Sequence, residues 1–183
     1  MRLPELQAGS ALAEQTRSLP EFTLIDHTGK TFGKERFIGH WTFLFFGYTH
    51  CPDVCPTTLT ALNRMMKSIN EQQRIGNLQV LFVSVDPQRD STSRLAQYVS
   101  YFNPDFIGAT GDSHLLQNLA GTLGIAYAKL PSSSGDPTDY LMDHGASVLL
   151  IGPYGTLRAV FSPPFDAKAL ASDFLTLYRH SGT

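Results

Sequence analysis

The chain's apolar residues follow several distinct rhythms. WTFLFFGYTH, from Trp41 to His50, is apolar at nearly every position, which predicts a parallel strand covered on both faces by helices and central in its sheet. LQVLFVSVD, from Leu78 to Asp86, predicts a second buried strand. Between them, TTLTALNRMMKSINEQQ places Leu59, Leu62, Met66 and Ile69 at helical spacing. Two further helices are expected: STSRLAQYVSYF with Asp90 or Ser91 as its cap, and SHLLQNLAGTLGI capped by Asp112 and stopped at Gly124. This alternation is a doubly wound α/β arrangement.

The ends of the chain have a different pattern. EFTLIDHTGKTF alternates on both sides of a glycine-containing turn and predicts a small β-hairpin. ASVLLIG and TLRAVF flank PYG as another hairpin, and DAKALASDFLTLYRH closes the chain as an amphipathic helix capped by Asp166. Residues 1–19, with scattered Pro, Gly and Ser, are expected to form an extended arm, leaving 20–183 as the folded domain. KLPSSSGDPTDY, from Lys129 to Tyr140, is expected to be a mobile loop.

Length and charge narrow the function. At 183 residues with 42% hydrophobic content, one domain with a substantial core is expected. A net charge of −2 and a pI near 6.3, without a long Lys/Arg run, argue against a nucleic-acid partner. No apolar stretch reaches the roughly 20 residues of a membrane span, and the first residues lack the apolar core of a signal peptide.

The only cysteines, Cys51 and Cys55, stand in CPDVC where the central strand gives way to a helix. If the first helical turn includes both, their Cβ atoms lie roughly 5–6 Å apart on one face. That suits two sulfurs converging on one ion, whereas a disulfide wants about 3.8 Å. A helix start favours thiolate, which is both the metal-binding and the nucleophilic form. The bland alternative is a pair of buried or disulfide-bonded cysteines without a role.

Two soft thiolates and an imidazole would suit copper, and zinc is a rival for the same donors. His27, His40, His114 and His180 fall in turn, loop or helix-surface positions where a solvated side chain is expected. His50 adjoins Cys51, but strand alternation turns it to the opposite face. His144 stands between the loop and the ASVLLIG strand, and its position alone leaves a ligand and a structural histidine equally open.

FGYTHCPDVCP, VSVDPQRD and YLMDHGASVLLIGPYGTLRAVF occur in that order, and in this the chain resembles the SenC/Sco family of copper-binding proteins over nearly the whole domain. Met142, where an aliphatic residue is more usual, is a minor departure. The resemblance implies a thioredoxin-like fold, a central mixed sheet flanked by helices with an added N-terminal β-hairpin. It implies one copper ion, Cu(I) or Cu(II), held by Cys51, Cys55 and His144. Asp143 and Asp86 are candidates to orient the imidazole or to dock a partner, or else a solvated loop acid and a turn residue.

The implied activity is that of a copper chaperone for the binuclear centre of cytochrome c oxidase subunit II. Another copper chaperone could be its donor. A monomer on the periplasmic side of the inner membrane is expected, with an anchor preceding the arm as its only membrane contact. A thiol-disulfide oxidoreductase, in which Cys51 attacks and Cys55 resolves, and a redox or copper sensor are the alternatives using the same residues. A peroxiredoxin-like peroxidase is disfavoured, because Tyr48 and Pro52 occupy the positions three residues before the cysteines where a Thr is needed.

Overall fold

A computed structural model describes residues 3–13 and 16–181. Among the described residues, ten strands and four α-helices follow one another in the order expected for an α/β chain. They are β1 (Gly9–Ala11), β2 (Thr23–Asp26), β3 (Thr31–Gly33), β4 (Trp41–Gly47), α1 (Val54–Gln72), β5 (Leu78–Ser84), α2 (Thr92–Phe102), β6 (Ile107–Thr110), α3 (Ser113–Thr122), β7 (Tyr127–Pro131), β8 (Tyr140–His144), β9 (Val148–Ile151), β10 (Leu157–Phe161) and α4 (Ala167–His180).

Eight strands form one mixed sheet in the order β1-β10-β9-β4-β5-β6-β2-β3. β4 is central, parallel to β5 and antiparallel to β9, and all seven of its residues are buried. Successive side chains of a strand point to opposite faces, so β4 feeds two cores at once. Phe43 and Phe45 pack with Leu59 and Leu62 of α1, Leu95 of α2 and Phe174 of α4. Leu44 and Phe46 pack on the other face with Leu116 and Leu119 of α3 and with the β2–β3 hairpin. The nearly unbroken apolarity of 41–47 follows from being covered on both sides.

The helix starts are built as expected. Ser91 Oγ accepts from the Arg94 N–H, an Asp112 oxygen from His114 N–H and an Asp166 oxygen from Ala169 N–H, each satisfying a donor that the first turn leaves open. Asp90 is therefore not the α2 cap. Gly124 follows α3 with φ +79°, where a side chain would be strained.

Two expectations change. Residues 129–131 are not loop: β7 and β8 pair from Tyr127↔His144 to Pro131↔Tyr140, forming a separate two-stranded ribbon closed by residues 132–139. The signal was hidden because β7 is almost wholly exposed and so shows no alternation. Within the arm, Gly9–Ala11 add an edge strand to β10, and buried Asp173 on α4 accepts from the N–H groups of Gln7 and Ala8, both at 2.7 Å. Among the described residues no helix is long and apolar enough to cross a membrane.

Candidate metal centre

Cys51 and Cys55 lie where the central strand turns into α1. The chain leaves β4 at Gly47, and a Cβ there would stand 2.7 Å from Phe82 Cε2 and 2.8 Å from Cys55 Sγ; glycine lets the thiol sit against the strand end. α1 begins at Val54, so Cys55 is in its first turn while Cys51 precedes it. The condition of one helical turn holding both cysteines is thus not met. Instead the Cys55 N–H, one of the donors a first turn leaves open, points at Cys51 Sγ at 3.4 Å.

The third group arrives from 89 residues away. His144 ends β8, and its Nε2 lies 3.5 Å from Cys55 Sγ. Nδ1 is 3.2 Å from the Gly145 carbonyl oxygen; with a metal ion bound, a proton on Nδ1 would donate to that carbonyl and leave the Nε2 lone pair for the ion. The rings of Phe45 and Tyr48 meet the imidazole edge-on at centroid distances of 5.9 and 5.8 Å.

Sγ of Cys51, Sγ of Cys55 and a ring nitrogen of His144 all lie within 4.8 Å of one another. Three donors at about 2.0–2.3 Å around one ion stand about 3.5–4.0 Å apart; Cys55 Sγ and His144 Nε2, at 3.5 Å, already have that spacing, so the triangle can close on a single ion with at most a modest contraction. Cys55 is fully buried, while Cys51 and His144 are partly exposed. They open into a cleft of about 290 Å³ between Pro52, Val54, Leu141 and Ala146.

The two thiols share one charge. Cys51 is held far below the usual thiol range, chiefly by the hydrogen bond from Cys55, against the cost of its burial, with further help from His144 and the backbone N–H groups of Cys55 and Asp53. Cys55 is pushed up, first by donating to Cys51 and then by burial. The negative charge therefore rests on the accessible sulfur.

The other candidates separate. Asp143 is exposed on β8 and does not orient the imidazole, since Gly145 occupies that place. Asp86 is buried, and its carboxylate receives the Tyr140 hydroxyl at 2.6 Å and the Arg89 guanidinium, not His144. His50 lies in the turn after β4 rather than on a strand; it is exposed, with Nδ1 3.7 Å from an Asp90 oxygen. His27 accepts from the Gly108 N–H and is structural, while His40, His114 and His180 are exposed.

Sequence reasoning missed Asp90. Fully buried, it accepts from Thr49 N–H at 2.9 Å, Thr49 Oγ1 at 2.6 Å and Ser84 Oγ at 2.5 Å, fastening the segment that carries Cys51 to the end of β5. A second group within metal-binding reach, His50, Asp86 and Asp90, has its carboxylates already engaged by these donors.

A mixed sheet covered by helices on both faces, with two thiols at the junction after its central strand and an imidazole brought over them, defines a thioredoxin-fold dithiol protein with an added imidazole at the thiols. Comparison with known sequences then places it: the SCO1/SenC family model matches residues 10–179, and the chain belongs to that family. A Stutzerimonas stutzeri protein provisionally named as copper-binding is 35% identical over 90% of this chain and 78% of its own. The human mitochondrial SCO1 homolog is 35% identical over 86% of this chain and 52% of its own length. Arabidopsis thaliana ScoI, solved with copper bound, superposes with a TM-score of 0.82 at 31% identity, covering 88% of this chain and 98% of that one. The chain spans between 48% and 64% of the length of its vertebrate relatives.

Proposed function

We propose that this chain binds one copper ion through Cys51, Cys55 and His144 and passes it to the binuclear centre of cytochrome c oxidase subunit II. The observation that carries this reading is the convergence of two sulfurs and a ring nitrogen within 4.8 Å of one another in a half-open cleft. Two soft thiolates suit Cu(I), and the imidazole extends the set to Cu(II). The copper-bound Arabidopsis relative supports the same metal here.

Three ligands at a cleft suit transfer rather than storage. An incoming pair of acceptor thiolates can displace the donors one at a time, with the accessible Cys51 leaving first, so the ion is never free; a closed four-ligand site would retain it. The setting we propose is the periplasmic side of the inner membrane, with the domain tethered by a preceding anchor and loaded by another copper chaperone. Transfer tests it: the Cu(I)-loaded chain is mixed with the metal-free soluble domain of subunit II in the presence of a Cu(I) chelator. Copper should appear on the acceptor faster than on the chelator. Capture by the chelator alone would show that the chain releases its ion instead of delivering it.

A second reading has one observation in its favour, the unequal acidity of the thiols. The Cys51 thiolate could attack a partner disulfide and expel one partner thiolate, after which Cys55, losing its proton, attacks Cys51 and expels the second. The partner would be left as a dithiol and this chain as the Cys51–Cys55 disulfide.

A further inference from the structure

The strands β7 and β8 pair only with each other and lie outside the eight-stranded sheet. An isolated two-stranded ribbon is marginally stable, yet this one must hold His144 over Cys55 to within a fraction of an ångström. Something other than strand pairing has to set its position. Tyr140, the first residue of β8, is the one buried residue of the two strands.

The surroundings of Tyr140 are unusually complete. Its hydroxyl donates to Asp86 Oδ1 at 2.6 Å, and its carbonyl oxygen accepts from Arg89 Nη1 at 3.0 Å. The Arg89 guanidinium carbon lies 3.6 Å from the ring centroid and Lys129 Nζ lies 3.7 Å from it. Two cations that close to one centroid cannot share a face, so the ring is sandwiched between them. Arg89 is itself fixed by Asp86 through its Nε, and Asp86 is only 3% exposed. Asp86 and Arg89 belong to the turn that follows β5, the strand next to β4, whose end bears the Cys51–Cys55 segment.

We propose that Asp86, Arg89 and Tyr140 form a clamp that registers the β7–β8 ribbon on the end of the main sheet and so positions His144 against the two cysteines. The three are positioning residues: none touches the sulfurs or the imidazole. The clamp rests on the copper reading only for its consequence, since the placement of His144 is a property of the metal-free protein. It gives Asp86 a role, but by way of Tyr140 rather than by contact with the ring of His144.

The test is a double-substitution cycle on the full chain, with Tyr140→Phe as the conservative change and Tyr140→Leu as the harsher one. Each is made in the parent and in His144→Ala, and copper(II) affinity is read together with the thiolate-to-copper charge-transfer band. Folding is checked by thermal unfolding, and Tyr140→Phe keeps the ring between its cations should Tyr140→Leu fail to fold. In the parent background Tyr140→Phe is expected to weaken copper(II) binding about tenfold, the scale of disturbing a ligand's orientation, and to shift the band. In the His144→Ala background the same change should do nothing. An equal loss in both backgrounds, or no loss in the parent, overturns the clamp.

The metal-free protein provides the separate check. His144 ring protons, shifted by the rings of Phe45 and Tyr48, should move toward ordinary histidine values in Tyr140→Phe and further in Tyr140→Leu. Unchanged ring protons refute the clamp even if copper binds; a parent that binds no copper refutes the copper reading while leaving the ring shifts to decide the clamp.

Discussion

Asp90→Asn isolates the contribution of the carboxylate that fastens the cysteine segment. The wild-type group is fully buried and takes three hydrogen bonds, from Thr49 N–H, Thr49 Oγ1 and Ser84 Oγ. Bonds to a charged acceptor contribute about 1.5–3 kcal/mol net against about 1 for neutral ones. An amide keeps the shape but has one accepting oxygen. That oxygen can serve the Thr49 N–H and Ser84 together, since both use Oδ2. The amide NH₂ then faces Thr49 Oγ1, which already accepts from Arg94 Nε at 2.6 Å and must turn its own proton toward His50 Nδ1, 3.3 Å away. The network is rescued but loses its charge, at about 1 kcal/mol per bond and about 3 kcal/mol in all.

For a domain of this size that corresponds to a fall in melting temperature of about 6–12 °C. Thermal unfolding of the metal-free, reduced protein by circular dichroism reads it directly. Asp143→Asn, an exposed carboxylate on β8, is the matched control and should change stability by no more than about 0.5 kcal/mol. A shift for Asp90→Asn no larger than the control's would refute the reasoning, because it would mean that the buried charge is not what holds residues 49–51 in place.

Three other outcomes follow from the same geometry. Because the thiol of Cys51 is depressed far below that of an ordinary cysteine, its alkylation rate in the metal-free protein should be nearly flat from about pH 5 to 8, where a free thiol with a value near 8.5 gains about tenfold per unit. A rate that climbs in this way would contradict the assignment of the charge. The sign for stability follows: the Cys51 contribution is complete above the unfolded value near 8.5 and fades as pH falls, whereas that of Cys55, whose value is raised, is complete below 8.5 and is lost above it. Gly47→Ala should lower stability by about 1–3 kcal/mol and displace the Cys55 sulfur, seen as a lower melting temperature with a weakened copper band. Asp143→Asn should leave copper affinity unchanged in a titration; a tenfold loss would return to Asp143 the imidazole-orienting role that the Gly145 carbonyl holds.

What could be read from the chain and what could not divide along physical lines. The run at 41–47 announced a strand buried on both faces, and Ser91, Asp112 and Asp166 announced their helix starts, because burial and capping are local demands on local residues. The β7–β8 ribbon was invisible: Leu130 and Leu141 are exposed apolar residues in a stretch otherwise rich in Ser, Gly and Pro, and its position comes from Tyr140 meeting a turn some fifty residues earlier. Gly9–Ala11 are too short to carry a pattern and become a strand only because β10 offers an edge. The cysteines could be placed at the strand-to-helix junction, but that Cys51 lies outside the helix depends on where the first turn closes. Spacing alone does not single out His144, which only the family resemblance marks, since no local rule encodes a meeting across 89 residues.

Copper delivery by this chain depends on His144 completing a site with the two thiols. Titration of the reduced parent and of His144→Ala with copper, followed by the thiolate-to-copper charge-transfer band, measures this most directly. The parent should saturate at one ion per chain, and His144→Ala should lose copper(II) affinity by at least about tenfold with a displaced band while retaining Cu(I) on Cys51 and Cys55. Equal copper(II) binding by the two proteins would contradict the three-ligand site and leave only a dithiol.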